Sequence, residues 1–310
     1  MQSDSTTIVR LSEAIPKFLA HKEINSNPSP KTLKNYRHYL GDFQKWAGER
    51  TVNSLTLEDV ENFMFFLFAK VKPNGEKCLG VQSMNHYRGA LRVLFSYCIA
   101  HGVKAPIPDS IRRAKVPEKR REFVTREEVF RLIGAVNGRG IRAFRNKALI
   151  AILFSTGLRV AELSALNRSD IDLSRKEFAI SGKGSKVRLV FLNDFACQAI
   201  ESYLSHRDDP FPALFINYKA YRVNKENPKK RRMHPESIRR TVASITKQAG
   251  IQKHVTPHVL RHGFCTHLLT NGVDLMTASE MMGHSSPNTT KIYFHNTNIR
   301  LRESHAKAFN

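Results

Sequence analysis

Cysteine is scarce in this chain of 310 residues, and the few cysteines are not arranged in pairs. Cys78, Cys98, Cys197 and Cys265 lie far apart in the sequence and form no CxxC motif. This distribution argues against a disulfide framework and against a cysteine zinc site. It is typical of a protein in a reducing compartment.

Long apolar runs are also missing. The longest ones, FMFFLFA and ALIAILF, are too short to cross a bilayer. The first residues, MQSDSTTIVR, lack the apolar stretch of a signal peptide. We therefore expect a soluble, cytoplasmic protein with no membrane partner.

Acidic residues are few relative to basic ones. Lys and Arg number 50 against 27 Asp and Glu, a formal net charge of +23 at pH 7, and the excess is larger after residue 115 than before it. A protein this basic usually binds a polyanion, above all nucleic acid. A basic, solvated surface is the simpler explanation, but the uneven placement of the charge argues against it.

Helical periodicity dominates the first part of the chain. Apolar residues recur at helical spacing in LSEAIPKFLAHKE, KTLKNYRHYLGDFQKWAG, LEDVENFMFFLFAKV and VQSMNHYRGALRVLFSYCIAHG. Pro30 stands near the first position of the second helix, and Thr56 with Asp59 resembles a capping box for the third. A chain of this length usually forms two domains. The pattern predicts that the first is an all-α domain over residues 1–105.

A basic stretch with several prolines follows over residues 106–123. Proline stiffens the chain and blocks helix formation, so we interpret this stretch as a linker. Its basic side chains suit a strap lying along phosphates, and a solvated linker explains each of them equally well. The phosphate-contact candidates here are Arg112, Arg113, Lys115, Lys119, Arg120 and Arg121.

The remaining residues, 124–310, combine helices with a β-hairpin. Helical patterns occur in TREEVFRLIGAV, PESIRRTVASITKQAG, TPHVLRHGFCTHLLTNG and DLMTASEMMG. FRNKALIAILFSTGLRVAELSAL predicts a helix, a break marked by glycine, and a second helix with Arg159 and Glu162 three positions apart on one face. EFAISGKGSKVRLVFL predicts two strands around a glycine turn, and ALFINYKAY predicts another short extended segment. We therefore expect a mixed, mainly α domain with a small antiparallel sheet. Its phosphate-contact candidates are Lys186, Lys229, Lys230, Arg231, Arg232, Arg239 and Arg240.

Four stretches of this second domain hold side chains that suit a single phosphate group. Each stretch alone is a weak signal, since an arginine near a glutamate is more often a structural ion pair and a lone tyrosine is usually a core aromatic. Arginine binds phosphate oxygens through two parallel hydrogen bonds and always carries its charge. The candidates are Arg159, Glu162, Lys183, His258, Arg261, His284 and Tyr293.

Other kinds of site fit these stretches less well. GKGSK lacks the GxxxxGK[ST] spacing of a nucleotide-binding loop. His258 and His262 stand four apart, but Val259 occupies the position of the glutamate in HEXXH, so zinc is a minor possibility. No carboxylate cluster is available to hold Mg²⁺. A protein nucleophile remains, and we expect Tyr293 to fill that role, because nearby cations favour the phenolate that attacks a phosphodiester.

These motifs resemble those of the tyrosine recombinases, also called phage-type integrases. AILFSTGLRVAELSAL is similar to the family's first arginine box, and HVLRHGFCTHLL with MMGHSSPNTTKIYFH is similar to its second. The resemblance extends from about residue 148 to 295 and is greatest to the compact Xer type, although the connection 217–236 is longer and more basic than that type needs. The spacings also match, with 24 positions from Arg159 to Lys183, 26 from His258 to His284 and nine from His284 to Tyr293.

The resemblance implies a role for each candidate. Tyr293 would attack phosphorus, forming a 3′-phosphotyrosyl link and a free 5′-hydroxyl. Lys183 would protonate the leaving 5′ oxygen. Arg159 and Arg261 would bind the non-bridging oxygens of the phosphate. His258 would take part in proton transfer, and His284 would donate a hydrogen bond to the phosphate. Glu162 would orient its neighbouring groups.

The resemblance also implies an architecture and partners. The N-terminal domain would be a SAM-like helical bundle that binds the DNA core site. The substrate would be double-stranded DNA with paired inverted half-sites, held by a homo-tetramer on two duplexes or by an assembly with a paralogous recombinase. Neither a metal nor ATP would be needed, and the protein would associate with the nucleoid. The tail IRLRESHAKAFN would dock into a neighbouring protomer, with docking onto its own domain as the alternative.

Two other functions remain compatible with part of the pattern. A DNA-binding protein without chemistry would account for the basic charge and the linker, but it would have no use for a nucleophile. A type IB topoisomerase would share the tyrosine chemistry. A test for sequence-specific recombination separates that enzyme from a recombinase.

Overall fold

Two compact units, Met1–Lys119 and Arg120–Asn310, make up the chain. The computed structural model describes residues 8–116, 122–181, 187–218 and 231–283. The division between the units falls within the stretch 106–123, and the finer domain boundaries given above stay predictions. No helix among the residues described is long and apolar enough to span a membrane.

The first unit is an all-α domain, as the sequence predicts. Single 3₁₀ turns lie at Val52–Ser54 and Pro108–Ser110. Its α-helices are α1 Leu11–Ser26, α2 Pro30–Ala47, α3 Leu57–Ala69 and α4 Val81–Ala100.

Local capping explains where two of these helices begin. The hydroxyl of Ser29 accepts a hydrogen bond from the backbone N–H of Thr32, and Pro30 occupies the first turn of α2. At the start of α3, Thr56 and Asp59 each accept a hydrogen bond from the other's backbone N–H, which is the predicted capping box. Such bonds satisfy N–H groups that the beginning of a helix leaves unpaired.

Aromatic side chains fill the core of the first unit. Phe43 and Phe63 are fully buried, and their rings meet edge to face with centroids 5.0 Å apart. The hydroxyl of Tyr87 donates to the Asp42 carboxylate at 2.8 Å. Burial and that hydrogen bond raise the pKa of Tyr87 well above its usual value. Ring packing between α2 and α3 and this part-buried hydrogen bond between α2 and α4 therefore add to the aliphatic core of the unit.

The second unit is mixed and mainly α, which confirms the predicted fold class. Its strands, β1 Glu177–Ser181 and β2 Val187–Phe191, pair antiparallel, with Ser181 opposite Val187. The helices of the described part are α5 Arg126–Gly134, α6 Ile141–Thr156, α7 Val160–Ala165, α8 Asp194–Ser205, α9 Pro235–Gln248, α10 Pro257–Thr270 and α11 Leu275–Met282.

Helix α6 lies at the centre of the second unit. Its residues 149–153 are all buried, and the helix packs against α5, α8 and α10. It ends at Gly157, which has a positive φ of 60°. A Cβ at this position would collide with the ring of Phe264 in α10. Glycine is thus needed both for the backbone conformation and for the space, and the turn it makes leads directly to Arg159.

The segment ALFINYKAY, predicted as a short extended segment, joins no sheet in its described part, residues 213–218, and forms only isolated bridges there. Ala213 bridges Asn167, and Ile216 bridges Arg232, each as an isolated pair. The consecutive residues 213–216 are all buried, without the alternation of a half-buried strand. The segment passes through the interior and changes partners too soon to build a ladder. Residues 219–221 lie outside the described part of the chain.

Candidate active site

Arg159 and Glu162 meet at the start of α7. The backbone N–H of Arg159 donates to one carboxylate oxygen of Glu162 at 2.7 Å, and its Nη1 donates to the other at 2.8 Å. The sequence predicts both residues on one helical face, but Arg159 precedes the helix and its φ/ψ values are extended. The pair is therefore a capping arrangement, and the Arg159 side chain remains 44% exposed.

Glu162 also binds a second arginine. Nη1 and Nη2 of Arg188 donate to its two oxygens at 3.3 and 3.1 Å. Burial is the largest single influence on the pKa of Glu162 and raises it. The hydrogen bonds from Arg159 and the positive charges of Arg188 and Arg159 outweigh burial together, so the pKa is lowered overall. The carboxylate is therefore ionised at neutral pH although its side chain is only 11% exposed.

Arg261 is buried within α10, at 2% exposure. Its Nη1 donates to the carbonyl oxygen of Gly157 and its Nη2 to that of Met282, each at 2.5 Å. Nη2 of Arg159 donates to the carbonyl oxygen of Gly283 at 3.0 Å. The two arginines predicted to share a phosphate thus bind adjacent carbonyls at the end of α11. The fold has brought together two boxes that are far apart in the sequence.

His258 lies in the first turn of α10 and is exposed. Its ring stands edge to face against that of His262, with centroids 4.1 Å apart. His262 is buried. Within the described ranges there is no group of three or more His, Cys, Asp or Glu side chains placed to hold a metal ion.

Four of the predicted residues, Lys183, Lys186, His284 and Tyr293, lie outside the described part of the chain. Their roles stay predictions. The residues next to them are placed, since β1 ends at Ser181 just before the connection 182–186. Gly283, immediately before His284, ends α11 with a positive φ of 62°. The chain therefore enters both undescribed segments from the neighbourhood of Arg159 and Arg188.

Several predicted phosphate contacts lie on the surface. Arg239 and Arg240 are exposed on α9 and share Glu236 as an ion-pair partner, at 3.3 and 3.4 Å. Pairs this exposed are weak, so both guanidinium groups are free to exchange Glu236 for a phosphate. Arg112, Arg113 and Lys115 are exposed too. Those outside the described residues are Lys119, Arg120, Arg121, Lys229 and Lys230.

Two predicted phosphate contacts are corrected by the structure. Arg231 is 1% exposed, and its guanidinium lies over the ring of Phe211, 4.4 Å from the centroid. Nη1 of Arg232 donates to all three carbonyl oxygens of residues 164–166, at the end of α7, and its Nη2 donates to Asn167. Helices end with unpaired carbonyls, which an arginine satisfies well. Both arginines bind other parts of the fold: Arg231 is buried and Arg232 is half-buried, whereas the basic run predicts fully exposed side chains.

Arg188 was not among the predicted site residues. The signal that identifies it is the two-residue alternation of β2, in which Val187, Leu189 and Phe191 are exposed and Val190 is buried. Arg188 falls on the same face as Val190. An arginine on the inward face of a strand needs partners for its charge and its hydrogen bonds, and only the tertiary structure shows that Glu162 supplies them.

Fold and site together define a class of protein. The chain is strongly basic, has a helical unit followed by a mainly α unit, and holds two arginines on adjacent carbonyls close to an exposed histidine. Guanidinium groups fixed in this way suit the oxygens of a phosphate. The class is a nucleic-acid-binding protein.

The family is shown by comparison with known proteins. The model of the phage integrase family matches residues 122–300, and the model of the phage integrase N-terminal SAM-like domain matches residues 16–104. The chain belongs to the phage integrase family, the tyrosine recombinases, which cleave and rejoin DNA.

Relatives of known function match over nearly the whole chain. Tyrosine recombinase XerD of Oceanobacillus iheyensis is 33% identical over 274 residues, which cover 88% of this chain and 88% of the relative. Tyrosine recombinase XerC of Myxococcus xanthus is 29% identical and covers 96% of this chain and 98% of the relative. The predicted resemblance to the Xer type is therefore confirmed. Site-specific recombination by DNA cleavage and rejoining is the activity, and these relatives give no support to DNA binding without chemistry or to a topoisomerase.

Solved structures agree with this assignment. The XerA recombinase is 29% identical, with a TM-score of 0.52 over 96% of this chain and 98% of that protein. XerH in a post-cleavage complex with a palindromic difH substrate is 23% identical, with a TM-score of 0.71 over 97% and 96%. The Tn1549 transposon integrase bound to transposon right-end DNA is 19% identical, with a TM-score of 0.74 over 96% and 99%. The last two likenesses show the fold alone.

Proposed function

We propose that this recombinase cleaves DNA with Tyr293 as its nucleophile and with a set of cationic and histidine side chains around one scissile phosphate. The observation that carries the proposal is the convergence of Arg159 and Arg261 on the carbonyls of Gly283 and Met282. Two guanidinium groups at adjacent positions offer the donors that two non-bridging oxygens of a phosphate require. The remaining members of the proposed set are Lys183, His258 and His284.

In the proposed reaction one phosphate ester bond forms as another breaks, and one proton is taken up as another is released. The phenol oxygen of Tyr293 forms a bond to phosphorus, with His258 taking part in the transfer of its proton. The bond from phosphorus to the 5′ oxygen breaks, and Lys183 donates the proton that the leaving oxygen needs. A 3′-phosphotyrosyl ester and a 5′-hydroxyl result. Attack of a 5′-hydroxyl from the partner strand reverses these steps, and because one phosphate ester replaces another, rejoining needs no ATP.

The arginines stabilise charge that builds up on the pentacoordinate phosphorus. His284 adds a hydrogen bond to a phosphate oxygen, and Glu162 orients Arg159. The placement of Arg159 supports this, because its backbone N–H and Nη1 both bind Glu162 while its side chain remains partly exposed. Donors held rigidly before the reaction begins cost no reorganisation in the transition state.

We further propose that the substrate has paired inverted half-sites and that four protomers hold two duplexes, either as a homo-tetramer or with a paralogous recombinase at the nucleoid. The XerH structure contains a palindromic difH substrate, which supports inverted half-sites here. The exposed residues Arg112, Arg113, Lys115, Arg239 and Arg240 are the proposed contacts to the DNA backbone in the described ranges.

Trapping of covalent complexes tests this proposal. The protein is incubated with fragments of genomic DNA, denatured, and the DNA still attached to protein is sequenced. We expect one enriched sequence with inverted half-sites, and no attached DNA with the Tyr293→Phe variant. Tyr97→Phe, which changes a half-buried tyrosine in the first unit, is the matched control and should behave as the parent. Attached DNA without a shared sequence would contradict site specificity, and attachment that survives Tyr293→Phe would contradict the nucleophile.

A further inference from the structure

Arg188 contributes a second guanidinium to Glu162. It lies in β2 on the face that carries the buried Val190, and its side chain is 13% exposed. With Arg159 on the other side of the carboxylate, two arginines share one negative charge. The group of Arg159, Glu162 and Arg188 therefore keeps a net positive charge.

Arg188 also lies against the end of α11. A Cβ at Gly283 would collide with the Arg188 guanidinium, so any larger residue at 283 would displace that group. Gly283 is the residue whose carbonyl Arg159 binds, and His284 follows it. The Arg188 side chain therefore contacts both α7 and the end of α11. These two elements also hold Arg159, the arginine proposed to bind phosphate.

The strand that carries Arg188 is joined directly to the connection proposed to hold the general acid. β2 begins at Val187, and the five residues 182–186 before it include Lys183. The described sheet has only two strands, and such a pair is marginally stable unless it packs on another element. The ion pair to Glu162 fixes the position of β2 relative to α7 at the end nearest to Lys183.

A role in stability alone does not explain this arrangement well. Nε of Arg188 is buried and has no hydrogen-bond partner among the described residues. A buried donor without a partner costs stability, and a hydrophobic residue beside Val190 would avoid that cost. The arginine is therefore better explained by its position in the site than by its contribution to the core.

We propose that Arg188 is a positioning residue of the recombination reaction: through Glu162 and Gly283 it holds β2 so that Lys183 reaches the phosphate that Arg159 binds. This role rests on the proposed functions of Lys183 and Arg159. The substrate that reveals it is DNA with a bridging 5′-phosphorothiolate, whose sulfur leaves without needing a proton.

The test compares the rate of single-turnover cleavage at saturating DNA on normal and phosphorothiolate substrates. For Arg188→Gln we expect a loss of about 100-fold on normal DNA, because a small displacement of a reacting group has effects of that size. We expect most of the loss to disappear on the phosphorothiolate and DNA affinity to change by less than about twofold. Arg188→Lys should recover part of the rate, because it keeps the charge but not the two-pronged contact.

The control variant is Lys253→Gln, which removes another half-buried ion pair of the same unit, the one between Lys253 and Glu128 at 2.8 Å. Its melting temperature is compared with that of Arg188→Gln. If the two variants lose similar stability and similar rate on both substrates, Arg188 is only structural and the proposal is overturned. Rate loss in Arg188→Gln alone, with recovery on the phosphorothiolate, supports it.

Lys183→Ala is measured alongside to separate this inference from the proposed function. If Lys183→Ala recovers on the phosphorothiolate but Arg188→Gln does not, the positioning role of Arg188 is overturned and the proposed site stands. If Lys183→Ala does not recover, the assignment of Lys183 as general acid fails and the role of Arg188 fails with it.

Discussion

Nη2 of Arg159 donates a hydrogen bond to the carbonyl oxygen of Gly283 at 3.0 Å. This bond joins the start of α7 to the end of α11, across 124 positions of sequence. The residue after Gly283 is His284, and Tyr293 lies nine positions beyond His284. The contact joins the two sequence boxes from which the proposed phosphate site is built, and the predictions below test the parts of that proposed site.

Replacing Tyr293 by phenylalanine removes the nucleophilic oxygen and little else. We expect Tyr293→Phe to bind DNA within about twofold of the parent, because the ring is kept, and to form no covalent adduct. Gel shift measures the binding, and a denaturing gel measures the adduct. A protein–DNA band that persists on the denaturing gel would assign the nucleophile to another residue.

Replacing Lys183 by alanine should slow cleavage far more than it weakens binding. Loss of a general acid typically costs about 10²- to 10⁴-fold in rate. A bridging phosphorothiolate leaves without a proton, so the rate should recover on that substrate. Equal defects on both substrates would reassign Lys183 to phosphate binding and make Lys186 the candidate acid.

Two arginines of the second unit should respond to substitution in opposite ways. Arg240 is exposed on α9. Arg240→Ala should therefore reduce the slope of log binding constant against log salt concentration by about one, and it should leave the free energy of unfolding nearly unchanged. Arg231 is buried over Phe211, so Arg231→Ala should lower the free energy of unfolding by more than about 1 kcal/mol and leave the slope unchanged. Gel shifts at several salt concentrations and urea unfolding measure the two effects. The opposite pattern would place Arg231 on the DNA.

Gly157→Ala should destabilise the protein for two reasons. A positive φ costs an alanine about 1 kcal/mol, and the collision of its Cβ with Phe264 adds about 1–3 kcal/mol. Gly250 has a nearly identical φ of 63° with nothing within 4 Å of its Cβ position, so Gly250→Ala is the matched control and carries only the first cost. Urea unfolding of both variants gives the difference. Equal losses would show that the ring of Phe264 moves aside without cost.

Removal of residues 299–310 should leave a folded protein that still binds DNA. If the tail docks into a neighbouring protomer, the truncated protein should fail to bring two sites together and should recombine poorly. Native mass spectrometry of the protein with paired sites counts protomers and duplexes. Complexes of four protomers with two duplexes would show that the tail is dispensable for assembly, and unfolding of the truncated protein would show that the tail belongs to its own domain.

Much of the fold could be read from local patterns. The capping box of Thr56 and Asp59 and the proline at the start of α2 lie where the sequence predicts them, because capping bonds form between residues only a few positions apart. The glycine turn after α6 and the two strands of the hairpin follow from equally local signals. The residue type and the resemblance of their motifs to the two family boxes predict Arg159 and Arg261, and the structure brings both to the end of α11.

Other features were decided by contacts between distant parts of the chain. The basic run KENPKKRR gives no local sign that its last two arginines turn inward, to the ring of Phe211 and to the carbonyls at the end of α7. The ion pair between Arg188 and Glu162 spans 26 positions and cannot be seen in either motif alone. A long charged side chain is buried only where partners for its charge and its hydrogen bonds surround it, and those partners are assembled by the tertiary fold. The sequence by itself therefore determined the helices, the hairpin and the family of chemistry, whereas the tertiary structure decided which arginines are held inside the fold and which stay on its surface.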